Sequence, residues 1–143
     1  MKPPIDPTEL VSRYVAMWNE PQPDVRSASI QELWADGGAH VLQSPPQDIR
    51  DAASQLKFPA PALEIRGHDA LEARVTHAYE QFVAPGEFVF RARGEPSRPL
   101  PSVVTFGWEM VPTAGGDPAG AGLEVVVVDG DGRIAEDHQF VAM

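Results

Sequence analysis

Five residues in this chain have the types and settings that acid–base chemistry needs: Tyr14, Glu124, Asp137, His138 and His40. Tyr14 lies in ELVSRYVAMWN. On a helix at about 100° per residue, Leu10, Tyr14, Trp18, Val11 and Val15 fall within roughly 140°, and Ser12 and Arg13 fall opposite. A phenol among such neighbours needs a partner, because burying it unpaired costs about 1–3 kcal/mol. Either its hydroxyl caps a backbone carbonyl in the core, or it points into a cavity and donates to a ligand. Glu124 sits inside GLEVVVVD, a run too apolar for an exposed strand. Alternation puts it with Val126 and Val128, against Leu123, Val125 and Val127. Facing an apolar cavity, its carboxyl would stay protonated at neutral pH and act as a donor. Facing outward, it would meet solvent or pair with Arg91, Arg93 or Arg133. Asp137 and His138 are adjacent, so on a strand they face opposite ways and form no dyad. Strict alternation groups His138 with Ile134, Glu136 and Phe140, and Asp137 with Gln139 and Val141.

Other chemistries lack residues. There is no cysteine, which excludes disulfides, thiolate nucleophiles and cysteine metal sites. His40, His68, His77 and His138 show neither His-x-His nor His-x-x-x-His spacing, so no metal is expected. His68 and His77 are expected on exposed turns of or near a helix. DGDG at 129–132 lacks the later ligands of a calcium loop and reads as a hairpin turn. Ser44, before two prolines, has no nucleophile-elbow setting. The net charge of −10 repels phosphate, so neither nucleic acid nor an anionic membrane is an expected partner. No apolar run approaches the ~20 residues of a membrane span, and MKPPIDPTEL lacks the apolar centre of a signal peptide. A cytoplasmic protein is expected. The 143 residues suit one domain, 1–143.

These side chains must be held by elements that the periodicity outlines. A first helix starts near Pro7 and stops by Asn19, where NEPQPD follows. A second is expected from an N-cap at Asp24, with Val25, Ser29, Ile30, Leu33 and Trp34 on its inner face and DGG at 36–38 as its end. AHVLQS is a short strand. QDIRDAASQLKF could form a helix, and 46–62 reads as an insertion or flap. GHDALEARVTHAYEQFVAPGE is a third helix, with Leu71, Val75, Ala78, Tyr79 and Phe82 inward. The period then becomes 2, giving EFVFRAR, a proline-rich loop, SVVTFGWEMV, AGLEVVVVD and RIAEDHQFVAM. Val104, Phe106, Trp108 and Met110 share a face. The layout is α+β: a curved, mixed, mostly antiparallel sheet with three helices packed on it.

LVSRYVAMWN, ELWADGGAHV, RGHDALEA, VVTFGWEMV and LEVVVVDGDGRIAEDHQF, in that order, resemble the nuclear transport factor 2-like superfamily. Within it they resemble the SnoaL-like polyketide cyclase and ketosteroid isomerase branch. The resemblance implies a cone, a cystatin-like α+β barrel, with an apolar pocket at one end, a homodimer and no cofactor. Trp18, Trp34, Phe82, Phe106, Trp108 and Met110 are the expected ligand-binding side chains. In the isomerases a helix-1 tyrosine and a protonated carboxylic acid on a late strand form an oxyanion hole. Tyr14 and Glu124 match those positions, with Tyr14 lining the pocket floor and its hydroxyl aimed at a ligand oxygen. His138, Asp137 or His40 would then move the proton. The isomerase base after the first strand is replaced by Gln43 and Ser44, and Glu124 is a methylene longer than aspartate. Three functions therefore remain open: a cyclase or isomerase acting on an apolar, oxygen-bearing molecule, a non-catalytic binder, and a dimer whose pocket is plugged by aromatic rings.

Overall fold

The structure, a computed structural model, describes residues 5–43 and 62–142. The expected flap at 46–62 lies outside them but for Ala62, as do Ser44 and the possible helix QDIRDAASQLKF.

Helix α1 spans Pro7–Asn19. Asp6 caps it by accepting from the Thr8 amide at 3.3 Å, and Pro7 supplies a φ already suited to the first turn. Leu10, Val11, Tyr14, Met17 and Trp18 are buried along one side, as the spacing predicts. Helix α2 spans Pro23–Leu33 and begins before the expected cap. Pro23 takes the first turn, so Asp24 sits inside it, against the positive end of the helix. Its buried face is Arg26, Ile30 and Leu33, and Val25 is 43% exposed instead of turned inward. Arg26 fills that place because each of its three nitrogens donates: Nε and Nη2 bond the Glu20 carbonyl at 3.1 and 2.6 Å, Nη1 bonds Thr76 Oγ1 at 3.0 Å, and the guanidinium lies 4.5 Å from the Tyr79 ring centroid. Helix α3, His68–Ala78, runs into a π-helical turn at Tyr79–Val83. Leu71 and Val75 are buried, and Ala78 and Phe82 pack partly against the core.

Six strands form one sheet: β1 (Trp34–Gln43), β2 (Ala62–Arg66), β3 (Phe88–Leu100), β4 (Val103–Pro112), β5 (Gly120–Val128) and β6 (Ile134–Ala142), in the order β2-β1-β6-β5-β4-β3. Only β1 and β6 pair in parallel. Among the described residues the sheet curves but does not close, and β2 and β3 are its edge strands. β1 begins at Trp34, directly after α2, and takes in the DGG expected to end the helix. Gly38 makes this possible: a Cβ there would stand 2.9 Å from the Ile134 carbonyl oxygen and 3.0 Å from the Trp34 ring. β2 begins where the expected flap ends, and its ALEIR pairs antiparallel with β1. β3 continues through the segment expected to be a loop, with register shifts on either side of Ser97. As an edge strand it tolerates Pro96 and Pro99, whose missing N–H groups leave no ladder bond unmade. A further register shift separates Ile134 from Glu136, so Ile134 faces the core with Asp137, not outward with His138. DGDG closes the β5–β6 hairpin, where Asp129 Oδ1 accepts from the Asp131 and Arg133 amides at 2.9 and 3.0 Å. Among the described residues no helix is long and apolar enough to cross a membrane.

Candidate functional site

The concave face of the sheet carries a solid core at one end and a cavity of about 1010 Å³ at the other. α3 produces the difference. Its stripe Ala70, Ala73, Arg74, His77, Ala78 and Gln81 faces the cavity, and the alanines leave the space that larger side chains would fill. The sheet supplies Phe90, Trp108, Met110 and Val141, and α1 supplies Tyr14 and Trp18.

At the inner end of this cavity Tyr14 meets two carboxyl groups. Its Oη lies 2.5 Å from Glu124 Oε1 and 2.6 Å from Asp137 Oδ2. Glu124 and Asp137 are the inward residues of neighbouring strands and are both 0% exposed. Trp108 Nε1 donates to Glu124 Oε2 at 2.9 Å and Gln139 Nε2 to Oε1 at 3.3 Å. Gly122 lets the indole take that position, since a Cβ there would come within 2.3 Å of the ring. His40 Nε2 stands 3.9 Å from Glu124 Oε1 and 3.7 Å from Asp137 Oδ2, and neither ring nitrogen has a hydrogen-bond partner among the described residues.

The proton count follows from the distances. A phenol has one hydrogen and so donates to one carboxylate. The second short contact requires that a carboxyl donate to the phenol oxygen. The group thus holds two protons over three side chains, with one negative charge. Burial raises the Glu124 pKa well above the carboxylate range, and the Asp137 charge adds to it. Burial also lifts Asp137, to about 6, while hydrogen bonds from Glu124 and Tyr14 and the charges of His138 and Arg74 hold it down. Glu124 is the acid whose pKa burial raises more, with Tyr14 Oη between it and Asp137. Burial, then the two acids, push the Tyr14 pKa up, and burial keeps the His40 imidazole neutral.

Of the five residues singled out for acid–base chemistry, four converge. His138 does not. It lies on the outer face, where Nδ1 contacts Gln43 Nε2 at 3.0 Å and Nε2 contacts Glu136 Oε1 at 2.9 Å. The outward alternative for Glu124 is closed, because Arg91 Nε donates instead to Glu109, on the outer face, at 2.6 Å. The Tyr14 hydroxyl bonds the two acids, and Tyr14 also lines the cavity. Among the apolar candidates, Trp18, Phe82, Trp108 and Met110 line the cavity. Phe106 packs edge-on against Tyr14 at 5.0 Å, and Trp34 is fully buried beside His40 at the solid end. His68 Nε2 contacts the Trp34 carbonyl at 2.9 Å, while His77 stands exposed at the cavity rim.

Sequence spacing missed two features. The first is a potential metal set: His40, Glu124 and Asp137 bring ligand atoms within 4.8 Å of one another. The second is Arg74, whose alanine neighbours one turn away were the available signal.

No protein-family model matches the chain, and no curated protein matches it. Solved structures do. A candidate isomerase of the SnoaL-like family from Agrobacterium tumefaciens superposes with a TM-score of 0.73 at 20% identity, over 95% of this chain and 97% of that one. A candidate SnoaL-like polyketide cyclase from Jannaschia gives 0.60 at 13% identity, over 94% and 85%. A nuclear transport factor 2-like protein of unknown function from Exiguobacterium gives 0.61 at 12% identity, over 93% and 98%. The chain has the fold that these SnoaL-like and nuclear transport factor 2-like proteins share.

Proposed function

We propose that the protein binds a small, apolar, oxygen-bearing molecule in the cone and moves protons on it without a cofactor, in the manner of an isomerase or cyclase. The observation that carries this is the Tyr14–Glu124–Asp137 group at the inner end of a large apolar cavity, with contacts of 2.5 and 2.6 Å. Tyr14 is the member of that group at the cavity surface. It can hand its proton to a ligand oxygen and be reprotonated by the Glu124 carboxyl behind it. Tyr14 then returns a proton to the Glu124 carboxylate as it takes one from the carbon next to the carbonyl, and the relay is back in its starting state. The net result is keto–enol interconversion, the step shared by isomerisation and aldol-type ring closure. The outer face fits pairing with a second copy: Leu123 and Phe140 are cross-strand partners there, each 45% exposed.

An enolisable bicyclic ketone such as 2-tetralone, incubated in D2O, tests the reading. Deuterium uptake should be accelerated, and Tyr14→Phe should slow it by about 10²–10³-fold with binding retained. A second reading, binding without turnover, is favoured by the 0% exposure of Glu124 and Asp137. It wins if the ketone binds and its deuterium uptake is no faster than in buffer.

A further inference from the structure

The proton relay makes no use of Arg74, yet this residue has the least satisfied charge in the cavity. Arg26 offers the comparison. Both guanidinium groups are largely removed from water, but Arg26 has its donors on the Glu20 carbonyl, Thr76 and the Tyr79 face. Arg74 has no hydrogen bond and no carboxylate within ion-pair distance among the described residues, and its Nε is buried without a partner. The charge of Asp137 reaches it only through space. A buried cation with unused donors is costly unless something arrives to take them. Here the donors border the cavity, beside Ala70, Ala73 and Ala78, which leave room for a second group.

We propose that Arg74 anchors the acidic group of the ligand, so that the cone takes an amphiphilic organic acid with one carboxylate on Arg74 and an apolar body against Trp18, Phe90, Trp108 and Met110. This rests on the reading that the cone binds a small molecule, and narrows its ligand class. A planar carboxylate matches the two-pronged donor set of a guanidinium. A phosphate dianion is a poor fit. Among the described residues Arg74 is the one fixed cation on the cavity wall, the buried group beyond it already carries a negative charge, and the chain as a whole is at −10.

Two fluorescent probes with the same ring skeleton test this: 1-anilinonaphthalene-8-sulfonate, a monoanion, and its uncharged parent N-phenyl-1-naphthylamine. Arg74→Gln should weaken the sulfonate about 10–100-fold and change the parent less than about twofold. Arg74→Lys should retain part of the preference, which separates loss of charge from misfolding. Ala78→Trp, which fills the cavity, should abolish both. Sulfonate affinity unchanged in Arg74→Gln, or lost in step with the parent, overturns the proposal while leaving the cone a binding site. Failure of both probes to bind the unaltered protein, or binding that Ala78→Trp leaves intact, overturns the cone reading and this inference with it.

Discussion

The two ends of the cone share one sheet and differ in what faces it. At the solid end Leu10, Ile30, Trp34 and Ile134 are 0% exposed and fill the space between helices and strands. At the open end the same strand alternation continues through Phe90, Trp108, Met110 and Val141, but α3 answers with alanines and its last turn widens to a π-helix. The concave face therefore makes a core or a cavity according to the size of the residues opposite it. The Tyr14–Glu124–Asp137 group sits at the boundary. There, core packing excludes water and keeps a carboxyl neutral, while the cavity leaves the phenol within reach of a ligand.

The sharpest way to break this contrast is to truncate one residue at each end. Leu10→Ala opens a new void in a filled region and should cost about 3–5 kcal/mol, read from urea unfolding. Phe82→Ala enlarges a space that already exists and should cost less than half as much. Equal costs would mean that the ends are packed alike.

A smaller effect sharpens the boundary. Asp137 titrates at about 6 in the fold, above its ordinary 3.8. The native state therefore holds more protons than the unfolded chain between those values, and this group's contribution falls as pH rises, by up to about 3 kcal/mol. His40 acts in the opposite sense: it is neutral in the fold and charges on unfolding below its ordinary pKa of 6.5, so its contribution grows as pH rises to that value. Asp137→Asn removes the first effect and keeps the second. The stability of the variant relative to the unaltered protein should rise from pH 4 to about pH 6 and then level off. A difference that stays flat would place an ordinary, solvated carboxylate at Asp137.

The smallest effect lies on the outer face. Arg91 and Glu109 form an ion pair there, with the arginine side chain 61% exposed. Arg91→Ala should cost less than about 1 kcal/mol and lose that cost in high salt. A larger, salt-insensitive loss would show that this face is covered in solution.

The sequence made some of this legible and hid the rest for physical reasons. Tyr14 could be placed inside because helical period and burial are local properties of one segment. Glu124 could be flagged because a charge within a valine run conflicts with its surroundings. Their contact could not be read from spacing, since it joins positions 110 residues apart and depends on how the sheet curls over α1. Asp137 was placed opposite His138 correctly, but the irregularity before Glu136 moved Ile134 to the other face, and a bulge has no periodic signature. The length of β3 was hidden because prolines signal a loop unless the strand is known to be an edge. Arg74 was hidden because an arginine among alanines reads as a solvated helix face until a cavity is found beside it.

The account depends on one carboxyl staying protonated at neutral pH inside the Tyr14 group. Infrared spectroscopy of the protein at pH 7, compared with Glu124→Gln, tests this directly. The carbonyl stretch of a protonated carboxylic acid should be present in the unaltered protein and missing in the variant. Two ionised carboxylates at pH 7, with no acid band for the substitution to remove, would contradict it.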